Sequence, residues 1–149
     1  MRSTVEKMFD YLPRIDDEAA LEEMVYELYA PDATFADPLQ KAQGRKGILG
    51  MYRDMQRVFS QIDATLLQHI DSDGREVAEW EMVFKSRYWP TAIPLRGTTW
   101  LELDSQGRVT RHQDYWDLWE FLRASIPIQE IIGDRIPEPL KNLLSRRKS

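Results

Sequence analysis

The 149-residue chain has no cysteine. A disulfide framework and metal sites built on thiolates are therefore excluded, and the lack of thiols agrees with a reducing compartment, so we expect a cytoplasmic protein. Histidine is almost as scarce, since His69 and His112 are the two in the chain. His112 and Asp114 could together supply two metal ligands, but no ligand spacing connects them to His69. We expect neither a metal nor an organic cofactor.

Long apolar runs are also missing. No stretch approaches the about 20 residues that cross a bilayer, and residues 1–6 lack the apolar block of a signal peptide. Positive charge is in short supply as well, because 20 Lys and Arg stand against 25 Asp and Glu, for a net charge of −5. The one basic cluster, Arg146–Lys148, suits a solvated tail at a helix end. We therefore expect neither a membrane partner nor a nucleic-acid partner.

The first half of the chain has helical periodicity. Residues 17–29 carry apolar side chains three and four positions apart, which predicts an amphipathic helix. The same spacing indicates a second long helix, with Ile48, Met51, Tyr52, Met55 and Phe59 on its apolar face. Shorter helices are predicted at 4–12 and from Asp117 to Arg123.

The second half alternates between apolar and polar residues, as strands do. Four strands are predicted, at 62–71, 76–89, 95–104 and 108–116. Asp73-Gly74 is a strong hairpin signal between the first two strands, and Ser105–Gly107 is another between the last two. Helices followed by an antiparallel meander indicate the α+β class, and the length fits a single domain over residues 1–149.

One segment joins the end of the first long helix to a short strand, predicted at 34–37, that carries a single acid: Leu28-Tyr29-Ala30-Pro31-Asp32-Ala33-Thr34-Phe35-Ala36-Asp37-Pro38. Gly44 and a helix containing Ile48 and Tyr52 follow. The last predicted strand reads Gly107-Arg108-Val109-Thr110-Arg111-His112-Gln113-Asp114-Tyr115-Trp116-Asp117. Together these motifs resemble the ketosteroid isomerases and the SnoaL-like proteins of the nuclear-transport-factor-like superfamily, over about residues 5–120.

The resemblance implies a cystatin-like cone, in which a curved antiparallel sheet wraps around the helices and encloses a deep, mostly apolar pocket. Sheets of this kind commonly pack against a second copy, so we expect a homodimer. Residues 124–149 form a helical extension beyond the matched core. Its amphipathic spacing suits a cover for the cavity mouth or for a partner, and its apolar positions are Ile128, Ile131, Ile132, Leu140, Leu143 and Leu144.

Asp37 is a carboxylate among apolar neighbours, which needs either a hydrogen-bonding reason or a chemical one. The resemblance places it at the general base of the isomerases, which moves a proton between the carbons that flank an enone. Such a base works at the edge of a dry pocket, where its pKa is raised but it remains ionised. The alternative is structural, since an aspartate before proline often organises a turn by accepting bonds from nearby backbone N–H groups.

One face of the last strand carries alternate residues, namely Thr110, His112, Asp114 and Trp116. The resemblance implies that this face lines the pocket. Asp114 then matches the acid/base aspartate of SnoaL-like polyketide cyclases, with His112 beside it. Proximity to Asp37 would raise one of the two pKa values. The alternative is again structural, with Asp114 capping the following helix or pairing with Arg96 or Arg111.

An isomerase also needs donors for a developing oxyanion. The resemblance places Thr99 where the isomerases have a protonated aspartate, and it places Tyr11 near their tyrosine donor. Phe9 could occupy that second place instead and would donate nothing. Because a threonine is a weaker donor than a protonated aspartate, the residues favour a SnoaL-like site over steroid isomerisation. An epoxide hydrolase would need an Asp-Arg-Asp set, for which Arg96 or Arg111 would have to reach the pocket.

The sequence predicts a protein that binds a small apolar, carbonyl-bearing or polyketide-like molecule and isomerises or cyclises it by acid/base chemistry. The predicted catalytic residues are Asp37, Asp114 and His112. The predicted substrate contacts, which suit a flat apolar ring system, are Tyr11, Trp80, Met82, Phe84, Thr99 and Trp116. The alternative is a noncatalytic ligand-binding or dimerisation module in which both aspartates are structural.

Overall fold

A computed structural model describes residues 1–88, 90–125 and 137–145 of the chain. Within these ranges a short 3-10 turn, Leu12–Arg14, separates the first two helices. The helices and strands are, in chain order, α1 (Thr4–Tyr11), α2 (Glu18–Leu28), β1 (Tyr29–Ala36), β2 (Lys41–Gln43), α3 (Gly44–Val58), β3 (Phe59–Ser72), β4 (Arg75–Ser86), β5 (Ile93–Leu103), β6 (Val109–Trp116), α4 (Leu118–Ser125) and α5 (Glu138–Ser145).

The six strands form one curved sheet in the order β2-β1-β6-β5-β4-β3. The predicted α+β class is confirmed. The expectation of a wholly antiparallel sheet is wrong at one pair, because β1 and β6 run parallel while the other neighbours are antiparallel. A parallel pair needs a long crossover, and here α3 together with β3, β4 and β5 provides it.

Strand β1 begins at Tyr29, directly after α2, rather than near Thr34 as predicted. Pro31 lies inside the strand and has no N–H to donate, and the register between β1 and β6 shifts between Tyr29 and Thr34. Arg45 of α3 supports this irregular stretch. Its Nε donates to the carbonyl oxygen of Tyr29 at 2.8 Å, and its Nη2 donates to that of Tyr26 at 3.2 Å. Tyr29 is thereby placed beside β6.

Both predicted hairpin turns are confirmed. Between β3 and β4, Asp73 and Gly74 have φ values of 48° and 73°, which is the left-handed pair that a type I′ turn requires. Between β5 and β6, Gly107 has a φ of 76°. These tight connections fix the register of the strands whose inner faces meet the helices.

The helices pack on one face of the sheet, and the apolar core lies between the two layers. Glu76 of β4, which is 5% exposed, anchors the start of α1. Its two carboxylate oxygens accept the backbone N–H groups of Thr4 and Val5 at 2.9 Å and 2.7 Å. Because the first N–H groups of a helix have no partner inside the helix, this carboxylate satisfies two of them and holds α1 against the sheet.

The C-terminal part of the chain is described only in part. Helix α4 confirms the short helix predicted after Asp117. Ile128, Ile131 and Ile132 lie outside the described residues, whereas Leu140 and Leu143 of α5 are exposed. The single-domain organisation over 1–149 stays a prediction. In the ranges that the structure describes, no helix has the length and apolar character needed to cross a membrane.

Gly97 of β5 allows the indole of Trp80 to lie close against the sheet. The two residues are paired across β4 and β5, and Trp80 is 2% exposed. A Cβ at position 97 would lie 2.6 Å from the carbonyl oxygen of Tyr115 and 2.7 Å from two ring carbons of Trp80. Position 97 therefore has no room for a methyl group.

We expect Gly97→Ala to destabilise the protein by about 1–3 kcal/mol, because the added methyl overpacks a site bounded by backbone and a buried ring. Urea unfolding followed by tryptophan fluorescence measures this. Gly50→Ala is the matched control, since a Cβ there meets no atom within 4 Å. In a helix that change should stabilise by about 0.5–1 kcal/mol. Equal stabilities for Gly97→Ala and the unmodified protein would contradict the packing described.

Candidate functional site

The helices and the inner face of the sheet enclose a cavity of about 100 Å³. Most of its lining is apolar and aromatic. The polar side chains that line it are Asp37, Gln40, Tyr52, Thr99, His112 and Asp114. Among the described residues no lysine or arginine lines it, so its two carboxylates face no permanent positive charge.

The volume limits the ligand. An engineered cavity of ~150 Å³ lined by apolar side chains binds benzene. The cavity of about 100 Å³ is of the same order and is partly open, so it suits a ligand of one small ring or a short chain. This volume gives no support to a fused ring system of steroid size, in agreement with the preference drawn from Thr99.

All predicted site residues except Tyr11 line the cavity: Asp37, Asp114, His112, Trp80, Met82, Phe84, Thr99 and Trp116. Strand alternation explains this placement, because every second residue of β4, β5 and β6 points to the same face. Cross-strand register then brings the polar ones together, with Thr99 directly opposite Asp114. Their chemical roles stay predictions.

The predicted position of Tyr11 is wrong. The cavity face of α1 and the turn after it consists of Met8, Phe9 and Leu12, and Tyr11 lies about 100° round the helix from the centre of that face. Its hydroxyl instead donates to Glu27 at 2.9 Å near the surface. Phe9 takes the cavity position and offers no donor, so α1 supplies no oxyanion contact.

Asp37 is half-buried and has both a structural and a cavity-facing aspect. Its Oδ1 accepts the backbone N–H groups of Leu39 and Gln40 at 2.8 Å and 2.9 Å, which organises the turn between β1 and β2. Its Oδ2 accepts a longer bond of 3.4 Å from the Gln40 side chain. Burial raises the pKa of Asp37, and the negative charge of Asp114 adds to the rise, while the turn N–H groups oppose it.

Asp114 is held by two donors on the same oxygen. Its Oδ1 lies 2.6 Å from Oγ1 of Thr99, which donates to it, and 2.8 Å from Nε2 of His112. His112 is 3% exposed, and its ring packs edge-on against Phe35 at 4.7 Å. The predicted alternatives, in which Asp114 caps the following helix or pairs with an arginine, have no counterpart among these contacts. Asp114 is therefore part of a buried polar cluster.

Thr99 does not have a free hydroxyl proton. The indole Nε1 of Trp80 donates to its Oγ1 at 2.9 Å, and the Thr99 hydroxyl donates onward to Asp114. Because an indole N–H can only donate and a hydroxyl carries one proton, the direction of both bonds is fixed. Thr99 therefore positions Asp114 and does not serve as the oxyanion donor that the resemblance implied.

Sequence reasoning assigned no role to Tyr29 and Tyr52, which complete the polar cluster. The Tyr29 hydroxyl lies 2.7 Å from Nδ1 of His112 and 3.1 Å from the hydroxyl of Tyr52, and Tyr52 lines the cavity. Both residues stood in the motifs that carried the family resemblance. A tyrosine at a core-facing position was the available signal, because a buried phenol needs a hydrogen-bond partner.

Burial raises the pKa of both phenols well above the ordinary value, and the charge of Asp114 raises each further. Asp37 contributes to the rise at Tyr52, so that hydroxyl senses both cavity carboxylates. Each phenol therefore carries its proton at ordinary pH. Among the described residues, no group of three or more His, Asp or Glu side chains is arranged to hold a metal ion.

Comparisons with known proteins identify the family and the fold. The chain matches the SnoaL-like domain family over residues 5–112. No curated protein matches it significantly. Many solved structures share its fold. An NTF2-like protein of unknown function from Exiguobacterium sp. 255-15 is 18% identical, with a TM-score of 0.69 over 78% of this chain and 99% of that one.

Two further solved structures carry chemical descriptions of their own. A candidate SnoaL-like polyketide cyclase from Shewanella putrefaciens is 18% identical, with a TM-score of 0.67 over 83% of this chain and 96% of that one. An LEH-like epoxide hydrolase from M. tuberculosis is 16% identical, with a TM-score of 0.65 over 81% of each chain. At these identities the likeness shows the fold alone. The match over residues 5–112 covers more than half of the sequence, and the chain belongs to the SnoaL-like domain family.

Proposed function

We propose that the protein catalyses an acid/base isomerisation or cyclisation of a small, apolar, carbonyl-bearing molecule. Asp37 is the base that removes a proton from carbon, and the Asp114–His112 pair is the acid or second base. The observation that carries the proposal is the pair of carboxylates facing one small apolar cavity whose described lining has no lysine or arginine. In such a site burial favours the neutral acid, which brings a carboxylate closer to the basicity that proton abstraction needs.

The described contacts favour this chemistry over epoxide hydrolysis. An Asp-Arg-Asp set would need an arginine in the cavity, but Arg96 is bound to Glu79 and Arg111 to Glu102, both near the surface. The noncatalytic alternative draws its support from the turn bonds at Oδ1 of Asp37, which give that residue a structural task. Catalysis and ligand binding alone are therefore the two functions to separate.

Hydrogen–deuterium exchange separates them without knowledge of the natural substrate. Cyclohexanone is a one-ring ketone that suits the cavity volume, and its α-hydrogens exchange in D₂O when a base removes them. We expect the protein to accelerate this exchange and Asp37→Asn to slow it about 10²-fold or more, because general-base catalysis typically contributes 10²–10⁴-fold. NMR of the ketone signals measures the rate.

Asp32→Asn is the control for this experiment, since Asp32 is an exposed residue of the same strand and its variant should keep the rate. Asp114→Asn should also slow exchange. Thermal unfolding of each variant separates loss of catalysis from loss of folding. If folded Asp37→Asn and Asp114→Asn both exchange at the unmodified rate, the catalytic assignment is wrong. Binding of cyclohexanone with no accelerated exchange would favour the noncatalytic module.

The carboxyl of Asp37 should titrate above the ordinary value of about 3.9, because burial raises its pKa. An acid whose pKa is raised in the folded state binds its proton more tightly there. Its contribution to stability is therefore present at low pH and is lost as pH rises through the pKa of the folded state. The free energy of unfolding of the unmodified protein should therefore fall relative to that of Asp37→Asn as pH rises from about 4. Carboxyl ¹³C NMR and urea unfolding at several pH values measure both effects.

Asp104 and Asp114 supply internal controls for that titration. The pKa of Asp104 is lowered by the backbone N–H of Arg108, then by the Arg108 guanidinium and the N–H of Gln106. The titration midpoint of Asp104 should therefore lie below the ordinary value in the same spectra. Asp114→Asn should lower the midpoint of Asp37, because it removes a nearby negative charge. A midpoint at or below about 3.9 for Asp37 would contradict a desolvated base.

We also propose a homodimer formed through the outer face of the sheet, and a cytoplasmic location. The outer face has an apolar row across three strands, where Ile70, Val77 and Trp100 are register neighbours. Ile70 is 71% exposed, Trp100 is 49% exposed, and Tyr115 nearby is 54% exposed. An exposed apolar patch of this kind is typical of an interaction site.

Sedimentation equilibrium should give twice the chain mass for the unmodified protein, and Trp100→Glu should shift it towards the monomer, because a charge is then placed in the apolar row. Tyr88→Glu is the control, since Tyr88 is 72% exposed and lies outside that row. A monomeric unmodified protein at the highest measured concentration would remove the proposal of a dimer.

A further inference from the structure

A continuous chain of hydrogen bonds runs across the cavity wall and ends at Tyr52. Its six side chains come from α3 and four strands. The links are Trp80 to Thr99 at 2.9 Å, Thr99 to Asp114 at 2.6 Å, Asp114 to His112 at 2.8 Å, His112 to Tyr29 at 2.7 Å and Tyr29 to Tyr52 at 3.1 Å. Every link has a donor–acceptor distance typical of a protein hydrogen bond.

The direction of this chain is fixed at one end. Trp80 donates to Thr99, and Thr99 donates to Oδ1 of Asp114. An ionised carboxylate is an acceptor only, so the Nε2 atom of His112, which contacts the same oxygen, must carry a hydrogen. The tautomer of His112 follows from its neighbours.

When His112 is neutral, its imidazole therefore has a lone pair on Nδ1. Tyr29 must donate its hydroxyl proton to that nitrogen, since two acceptors cannot share a hydrogen bond. The oxygen of Tyr29 is then free to accept, and Tyr52 donates to it. Because Tyr52 has one hydroxyl proton and uses it inside the chain, it presents only lone pairs to the cavity.

A proton added to His112 reverses the direction of the hydrogen bonds that the two phenols make. An imidazolium has a hydrogen on both nitrogens, so Nδ1 becomes a donor and the Tyr29 oxygen becomes its acceptor. Tyr29 then donates to the Tyr52 oxygen at 3.1 Å, because the other acceptor within its reach, Sδ of Met8 at 4.0 Å, is a weak one. The Tyr52 hydroxyl proton then has no partner left in the chain. It is released towards the cavity, where it can meet a carbonyl oxygen.

The titratable groups that face His112 come from its own strand, from β1 with the turn that follows it, and from α3. The charged groups are the carboxylates of Asp114, on the same strand, and of Asp37, just after β1. Tyr29, stacked on the imidazole at 6.0 Å between ring centres, and Tyr52 of α3 are neutral phenols. The remaining described ring contact, Phe35, does not titrate.

We propose that Tyr52 is the donor to the carbonyl oxygen of the ligand, and that a proton on His112 switches this donor on. The inference rests on the proposed acid/base function and names its acid. It also supplies a donor that does not come from α1, where Phe9 lies, or from Thr99, which donates its hydroxyl proton to Asp114.

The proposed step conserves protons and electrons. Asp37 takes a proton from the carbon next to the carbonyl, so a C–H bond breaks and the enolate forms. Tyr52 gives its proton to the enolate oxygen and takes one from Tyr29, which takes one from Nδ1 of His112. His112 returns to the neutral form, and the enol and protonated Asp37 remain. Reversal of both transfers, with Asp37 returning its proton to a different carbon, completes an isomerisation.

The test measures ligand affinity and needs no turnover. Cyclohexanone and cyclohexane have nearly the same size and differ in one acceptor oxygen. The ratio of their affinities should be higher at low pH and should fall about 3–10-fold as His112 loses its proton, the range expected for one net hydrogen bond. Side-chain ¹⁵N NMR of His112 gives the pH range over which it titrates, and it should show hydrogen on Nε2 in the neutral form.

Two variants distinguish a relay, meaning the hydrogen bonds from His112 through Tyr29 to Tyr52, from a Tyr52 hydroxyl that acts alone. Tyr52→Phe should lose the preference for the ketone at every pH. Tyr29→Phe should keep the preference but lose its pH dependence, because Tyr52 then has no acceptor in the chain at any pH. Tyr11→Phe, a tyrosine outside the cavity, should behave like the unmodified protein, and thermal unfolding checks that each variant is folded.

The proposal is overturned if neutral His112 carries its hydrogen on Nδ1, or if the affinity ratio stays constant while His112 titrates. It is also overturned if the pH dependence survives in Tyr29→Phe. In Asp37→Asn the hydrogen-bond chain that ends at Tyr52 is unchanged. The pH dependence of the affinity ratio should therefore persist in this variant while α-hydrogen exchange is lost. Failure of the exchange experiment alone would therefore remove the acid/base function and leave the affinity switch intact, and the two failures are distinguishable.

Discussion

The interior depends on the two hydrogen bonds that Asp114 accepts from Thr99 and His112. A carboxylate in an apolar cavity is unfavourable unless its oxygens are satisfied. Thr99 and His112 satisfy Oδ1, and each is in turn held by a second partner, Trp80 or Tyr29. Strands β4, β5, β6 and β1 are thus linked through side chains as well as through the backbone ladder, and the linked residues form one wall of the cavity.

Packing makes this network rigid. Trp80 reaches Thr99 only because Gly97 leaves room for its ring, and Tyr29 reaches His112 only because β1 begins immediately after α2 and pairs with β6. Low dielectric strengthens each bond but also raises the penalty for any unpaired group. The network therefore depends on the close packing around it, because a side chain that shifted would leave a buried polar group without its partner.

Much of this architecture was predictable from local rules. The apolar spacing on α3 and the turn residues Asp73 and Gly74 are short-range signals, and alternation correctly put His112 and Asp114 on the cavity face of β6. The parallel pairing of β1 with β6 depends on contacts distant in sequence, and no local pattern carries it. Tyr11 was misplaced because a short helix leaves the rotation of its faces uncertain by about one residue, or 100°. Which hydroxyl donates to which acceptor emerged only once four strands were side by side.

Asp37 is not a member of the hydrogen-bond chain that runs from Trp80 to Tyr52, and this separation has a mechanistic consequence. Its Oδ1 is tied to the turn by Leu39 and Gln40, and none of its described hydrogen bonds reaches His112 or Tyr52. Asp37 and the relay are coupled through charge, since the charge of Asp114 raises the pKa of Asp37 and the charge of Asp37 raises that of Tyr52. A proton on one carboxylate therefore need not pass to the other, and carbon and oxygen of a bound carbonyl compound can exchange protons with different groups. Under the proposed function, this independence lets one cavity remove a proton at carbon while it supplies one at oxygen.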